Sequence, residues 1–97
     1  MSENRITRTV VVTDPAGVHA RTAVAIADAV RHGKSEVTLI KDDRRVTGTD
    51  VLQIMTLVAD QGSTVALEAV GPDAETVLGS LEPLFAGQFG DEVQKSA

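Results

Sequence analysis

The residues best equipped for chemistry stand in the stretch DPAGVHARTA, where His19 follows a glycine turn directly and Arg21 lies two positions further on. Helical spacing begins at His19, and a helix N-terminus offers unpaired backbone N–H groups and the positive end of a dipole. A positive dipole end keeps a nearby imidazole neutral and nucleophilic. The same N–H groups, here those of Ala20, Arg21 and Thr22, can receive a phosphate carried on the ring. The Arg21 guanidinium can add a charge-assisted bond to phosphate oxygens. On spacing alone one histidine and one arginine are a weak signal, and the plainer reading of a histidine that merely caps a helix stands ahead at this level. The other histidine, His32 in RHGK, falls at the expected end of the same helix, where a donor near the last carbonyls is favourable. A structural role is expected for it.

Nothing else in the chain competes. It contains no cysteine, which excludes a disulfide framework, a thiolate zinc site and a cysteine nucleophile. Two histidines far apart in sequence make a poor metal site, so neither a metal nor a cofactor is expected. The phosphate-loop, zinc-protease, nucleophile-elbow and dinucleotide-binding motifs are absent from the sequence. Asp42-Asp43 and Asp91-Glu92 read as a turn and a solvated tail.

The elements that must position His19 follow from periodicity. From Arg5 to Thr13, Ile6, Val10 and Val12 share one parity while Thr7, Thr9 and Thr13 share the other, the alternation of a half-buried strand. Asp14-Pro15-Ala16-Gly17 ends it with turn chemistry. From His19 to His32 the apolar residues Ala23, Ile26, Ala27 and Val30 recur at helical intervals, and Gly33 supplies a stop. Glu36 to Ile40 alternates again with Val37 and Leu39 inward, and Asp42-Asp43 turns it into a short strand around Val46. Val51 to Ala59 reads as a second helix closed by Gln61-Gly62, its start marked by the capping-box spacing of Asp50 and Gln53. Thr64 to Val70 alternates with Val65, Leu67 and Ala69 on one side. Asp73 is placed to cap a last helix carrying Ala74, Val77, Leu78, Leu81 and Phe85 along one stripe, which Pro83 should kink or shorten. The order β-α-β-β-α-β-α implies an α+β open-faced sandwich, a four-stranded antiparallel sheet covered on one face by three helices.

Composition bounds the rest. The chain has 97 residues with a net charge of −5, 42% hydrophobic and 24% charged, which fits one domain over residues 1–97, its core at about 5–89, and is too apolar for a disordered chain. The acidic balance and 2% aromatic content argue against nucleic-acid binding. Apolar stretches break well before the roughly 18 residues a membrane-spanning helix needs. The N-terminus, MSENRITRT, lacks the apolar segment of a signal peptide. A soluble cytoplasmic protein without membrane insertion is expected.

GVHARTA, the strand before it and the order of elements after it resemble the HPr family, the histidine-containing phosphocarriers of the bacterial phosphoenolpyruvate-dependent sugar phosphotransferase system. The family motif is close to G-L-H-A-R-P-A, and Gly17, Val18, His19, Ala20, Arg21 and Ala23 match it or replace it conservatively. The resemblance runs from about Thr9 to Glu92, through VTGTDVLQIMTL, DQGSTVALEAVGPDAE and LFAGQFGDE. It implies that His19 accepts a phosphoryl group from phosphorylated Enzyme I and passes it to a IIA component, with Arg21 stabilising the phosphorylated ring. On that reading the protein is a covalent carrier between phosphotransferases, not an enzyme, and a monomer is expected. Val24, Val51, Leu52 and Met55 match family positions that contact partners, whereas Ile54, Leu57 and Val58 are expected in the core.

Three departures from the family pattern bear on the site. Thr22 stands where proline is usual, which removes a residue that pre-sets φ in a first helical turn. Pro83 interrupts the last helix, and the chain runs past the family's usual end, so a contribution from a terminal carboxylate is in doubt. Asp50 falls where many relatives carry a regulatory serine. With no hydroxyl, it reads either as a plain helix N-cap or as a fixed charge resembling phosphoserine. Asp28 and Gln53 occupy part of a surface that is often rich in lysine, which weakens steering toward an acidic partner. The rival readings are an HPr-like regulatory domain that binds a protein without carrying phosphate, and a small ligand-binding α+β module.

Overall fold

The alternating N-terminal segment forms strand β1, Arg5–Val11, in the computed structural model, which describes residues 5–89. Helix α1 spans Ala20–His32, β2 Glu36–Lys41, β3 Arg44–Thr47, α2 Val51–Met55, β4 Thr64–Val70 and α3 Ala74–Leu81, and a 3-10 turn over Glu82–Ala86 follows. The sheet order is β1-β4-β2-β3 with every neighbouring pair antiparallel. The crossover through α1 therefore leaves a gap between β1 and β2 that β4 fills. This is the α+β open-faced sandwich expected from the periodicity.

One parity of each strand meets the helices. Val37, Leu39, Val46, Val65, Leu67 and Ala69 are buried against Ala23, Ile26, Ala27 and Val30 of α1, Ile54 of α2, and Ala74, Val77, Leu78 and Leu81 of α3. Burial of that apolar area is the main stabilising term. The opposite sheet face carries Thr7, Thr9 and a Glu68 carboxylate that accepts from Arg5 at 2.7 Å and from Arg45 at 2.9 Å. Arg8, on the covered parity, reaches Glu82 at 2.9 Å and Glu75 at 3.1 Å. The Glu82 hydrogen bond, with Glu75 adding to it, holds this guanidinium above its ordinary range and ties the 3-10 turn to β1.

Several local expectations meet a different outcome. The second helix stops at Met55 rather than at Ala59. The Thr56 hydroxyl donates back to the Gln53 carbonyl, and the Leu57 and Val58 amides make three-residue bonds to Ile54 and Met55, which tighten and close the turn. Val58 then takes a positive φ of 51° and turns outward, 65% exposed, so it is not a core residue, while Ile54 and Leu57 are. Asp73 occupies the N-cap position of α3, its carbonyl accepting from the Val77 amide at 2.9 Å, but its side chain makes no capping bond. Its carboxylate accepts instead from the Ser35 hydroxyl and the Lys34 amide, joining the α1–β2 loop to the start of α3, and these bonds, Ser35 first, hold it below the usual carboxylate range. Pro83 acts as its chemistry requires, because α3 ends at Leu81 and the chain continues as a 3-10 turn with proline in its first positions. The described residues contain no helix long and apolar enough to cross a membrane.

Candidate functional site

The loop between β1 and α1 is braced from three directions. On one side the Phe85 carbonyl of the 3-10 turn accepts from the amides of Thr13 at 3.0 Å and Asp14 at 3.2 Å. On another, the Val18 amide donates to the Ala59 carbonyl at 2.8 Å, which is why the chain beyond α2 must leave the helix before Ala59. Within the loop, the Ala16 amide donates to Asp14 Oδ1 at 2.9 Å and the Gly17 amide to the Asp14 carbonyl at 2.8 Å, a turn built on an aspartate side chain. Gly17 has φ +70°, and a Cβ there would stand 2.8 Å from the Ala59 oxygen, so only glycine fits.

This bracing delivers His19 to the N-cap of α1. Its backbone is extended, with φ −108° and ψ −173°, and its carbonyl accepts from the Ala23 amide at 2.9 Å. The imidazole makes no capping bond, so the reading of His19 as an ordinary side-chain cap does not hold. The ring lies 37% exposed, with Nε2 3.7 Å from Oδ2 of Asp14, whose side chain is only 13% exposed. Phe89 approaches the ring edge-on at 6.2 Å between centroids, and the Arg21 guanidinium sits 4.5 Å above the Phe89 ring. Arg21 is thereby held beside the histidine by cation–π stacking. Ala20, Arg21 and Thr22 form the first turn of α1, whose amides have no acceptor within the helix. Thr22 is fully buried, and among the described residues its hydroxyl is the one buried side-chain polar atom with no hydrogen-bond partner.

The remaining expected site residues divide by exposure. Val24 on α1 and Leu52 and Met55 on α2 are exposed apolar side chains on neighbouring helices. Val51 is half-buried and packs against the core. Asp50 is the N-cap of α2, its Oδ1 accepting from the Gln53 amide at 3.1 Å. His32 lies at the other end of α1 with Nδ1 2.7 Å from the Asp28 carbonyl, a local helix-end contact away from the site. The described residues hold no cluster of histidine and carboxylate side chains suited to a metal ion. Sequence reasoning did not single out Asp14 or Phe89. Asp14 read as turn chemistry, and the turn is real, but its second oxygen faces the histidine. Phe89 is one of only two phenylalanines, and no periodicity connects it to residue 19.

Comparison with known proteins assigns the family. The family model described as the PTS HPr component phosphorylation site matches residues 6–87. The chain is 36% identical over 87 residues to the phosphocarrier protein HPr of Treponema pallidum, covering 90% of this chain and 99% of that one. It is also 25% identical over 87 residues to the phosphocarrier protein NPr of Shewanella violacea, covering 90% of this chain and 96% of that one. The structure superposes on that of HPr-C-His from Thermoanaerobacter tengcongensis with a TM-score of 0.80 at 29% identity, covering 88% of this chain and 96% of the other. Together these matches place the chain in the HPr family, phosphocarrier proteins of the bacterial phosphotransferase system rather than catalytic enzymes.

Proposed function

We propose that this phosphocarrier takes its phosphoryl group on His19 from phosphorylated Enzyme I and delivers it to a IIA component of the sugar phosphotransferase system. The observation that carries the reading is an imidazole at a helix N-cap that makes no capping bond, beside first-turn amides and a stacked guanidinium. The ring's Nε2 faces a carboxylate, which would repel an incoming phosphoryl group, so the nucleophile is the lone pair on Nδ1. The amides of Ala20, Arg21 and Thr22 and the Arg21 side chain receive the phosphoryl oxygens. Phosphoryl transfer depends on positioning and charge complementation, and a phosphohistidine divides one transfer into two reversible steps. A carrier must release its cargo, and a partly exposed site with one arginine suits that requirement. Val24, Leu52 and Met55 provide apolar contact for the docking proteins, and Asp50 in this role is a helix cap that offers no hydroxyl for modification. The cytoplasm is the compartment in which such partners would be met.

The test is a relay assay with labelled phosphoenolpyruvate, Enzyme I, this protein and a IIA acceptor. Label is expected to pass through the protein to the acceptor, and to reach neither when His19→Ala replaces the parent. Tight binding to Enzyme I without any label on the protein would favour the regulatory, non-carrying reading instead.

A further inference from the structure

From the geometry around Asp14 we infer that this residue is a positioning residue for the transfer: its carboxylate holds the imidazole with the proton on Nε2 and balances the charge that the ring gains when Nδ1 takes the phosphoryl group. The inference rests on the reading of His19 as the phosphoryl acceptor and adds a second residue to it.

Asp14 is fixed on every side. Its Oδ1 is occupied by the Ala16 amide, its own amide donates to Phe85, and its carbonyl accepts from Gly17. Its Oδ2 packs against Gly87, where φ is +82° and a Cβ would come within 2.9 Å of that oxygen. The free edge of the carboxylate thus points at His19 Nε2 from 3.7 Å, in a side chain only 13% exposed. A turn aspartate needs one oxygen for its turn; this one has the other directed at the ring.

The chemistry follows from the placement. A carboxylate beside Nε2 favours the tautomer protonated there, which leaves the Nδ1 lone pair as nucleophile. That pair forms the N–P bond while the bond from phosphorus to the donor breaks, its electrons leaving with the donor group. The Nε2 proton stays in place, so the ring becomes cationic, and Asp14 faces that charge across a short, partly buried gap. Return of the group to an acceptor reverses these changes, so the carboxylate favours the loading half and gives no such help to the unloading half, where the charge it faces is already present in the starting state.

Two neutral variants that keep an oxygen for the turn, Asp14→Asn and Asp14→Ser, test the inference by stopped-flow transfer from phosphorylated Enzyme I. Ring ¹⁵N spectra of His19 and thermal melts accompany the kinetics. In both variants the rate at saturating donor should fall about tenfold, the lower end of what an opposite charge within 4–6 Å is worth to a charged state. The half-saturating donor concentration should not change, because a side chain only 13% exposed offers little surface for docking. The share of His19 protonated on Nδ1 should rise while the fold is retained. An unchanged rate at saturation in a folded variant overturns the inference and leaves His19 as the carrier. So does a change confined to half-saturation, which would make Asp14 a docking residue. Failure of the parent itself to become phosphorylated overturns both readings.

Discussion

Thr22 gives the sharpest stability prediction, because a fully buried hydroxyl without a partner is costly and can be removed without changing shape. Burying an unpaired hydroxyl costs about 1–3 kcal/mol. Thr22→Val deletes it while keeping volume and β-branching, and the two residues have similar helix propensities. The expected gain is about 1 kcal/mol, or roughly 4–8 °C in Tm for a domain of this size. Thr22→Ser keeps the hydroxyl and loses the methyl group, at a cost of about 1 kcal/mol from lost burial and the space left behind. In Thr22→Ala the two effects oppose each other, and stability should stay close to the parent's. Urea denaturation followed by circular dichroism, with m-values compared, gives the order. Valine should be most stable, parent and alanine intermediate, serine least. A valine variant less stable than the parent would refute the reasoning, since it would mean that the hydroxyl is bonded and its loss is felt.

The Asp73 carboxylate is held below the usual carboxylate range by Ser35 and Lys34. A group lowered in the folded state adds stability that is fully present above its unfolded value and is lost as pH falls through the folded one. Asp73→Asn should therefore lower the urea midpoint at about pH 7, with the gap to the parent narrowing below about pH 4; a gap constant across that range contradicts the assignment. Leu52, 76% exposed, should tolerate Leu52→Glu with stability unchanged within about 0.5 kcal/mol. In steady-state transfer the same variant should raise the KM for phosphorylated Enzyme I about tenfold, the 1.4 kcal/mol of a moderate interface residue. An unchanged KM would remove Leu52 from the docking surface.

Much of this molecule was legible from periodicity. The four strands and the stripes of α1 and α3 are set by which residues must leave water, and that pattern survives in a single sequence. What escaped depends on contacts distant along the chain. The second helix was overextended because VLQIMTLVA is apolar throughout, and nothing local says that the Ala59 carbonyl is needed by Val18. Asp73 carries good capping chemistry, yet Ser35 and Lys34, 38 and 39 positions away, take its oxygens. The same holds at the site. His19, Arg21 and the first turn of α1 lie within one short motif and could be read together. Asp14 and Phe89 join them only through folding, the first by the direction of one oxygen and the second from the far end of the described chain.

The central claim, that His19 carries the phosphoryl group, is tested most directly by intact-mass measurement after incubation with phosphoenolpyruvate and Enzyme I. The parent should gain the mass of one phosphate, lost on brief acid treatment as an N–P bond requires, and a folded His19→Ala variant should gain none. A phosphate that survives acid, or one that appears equally on His19→Ala, would contradict the account.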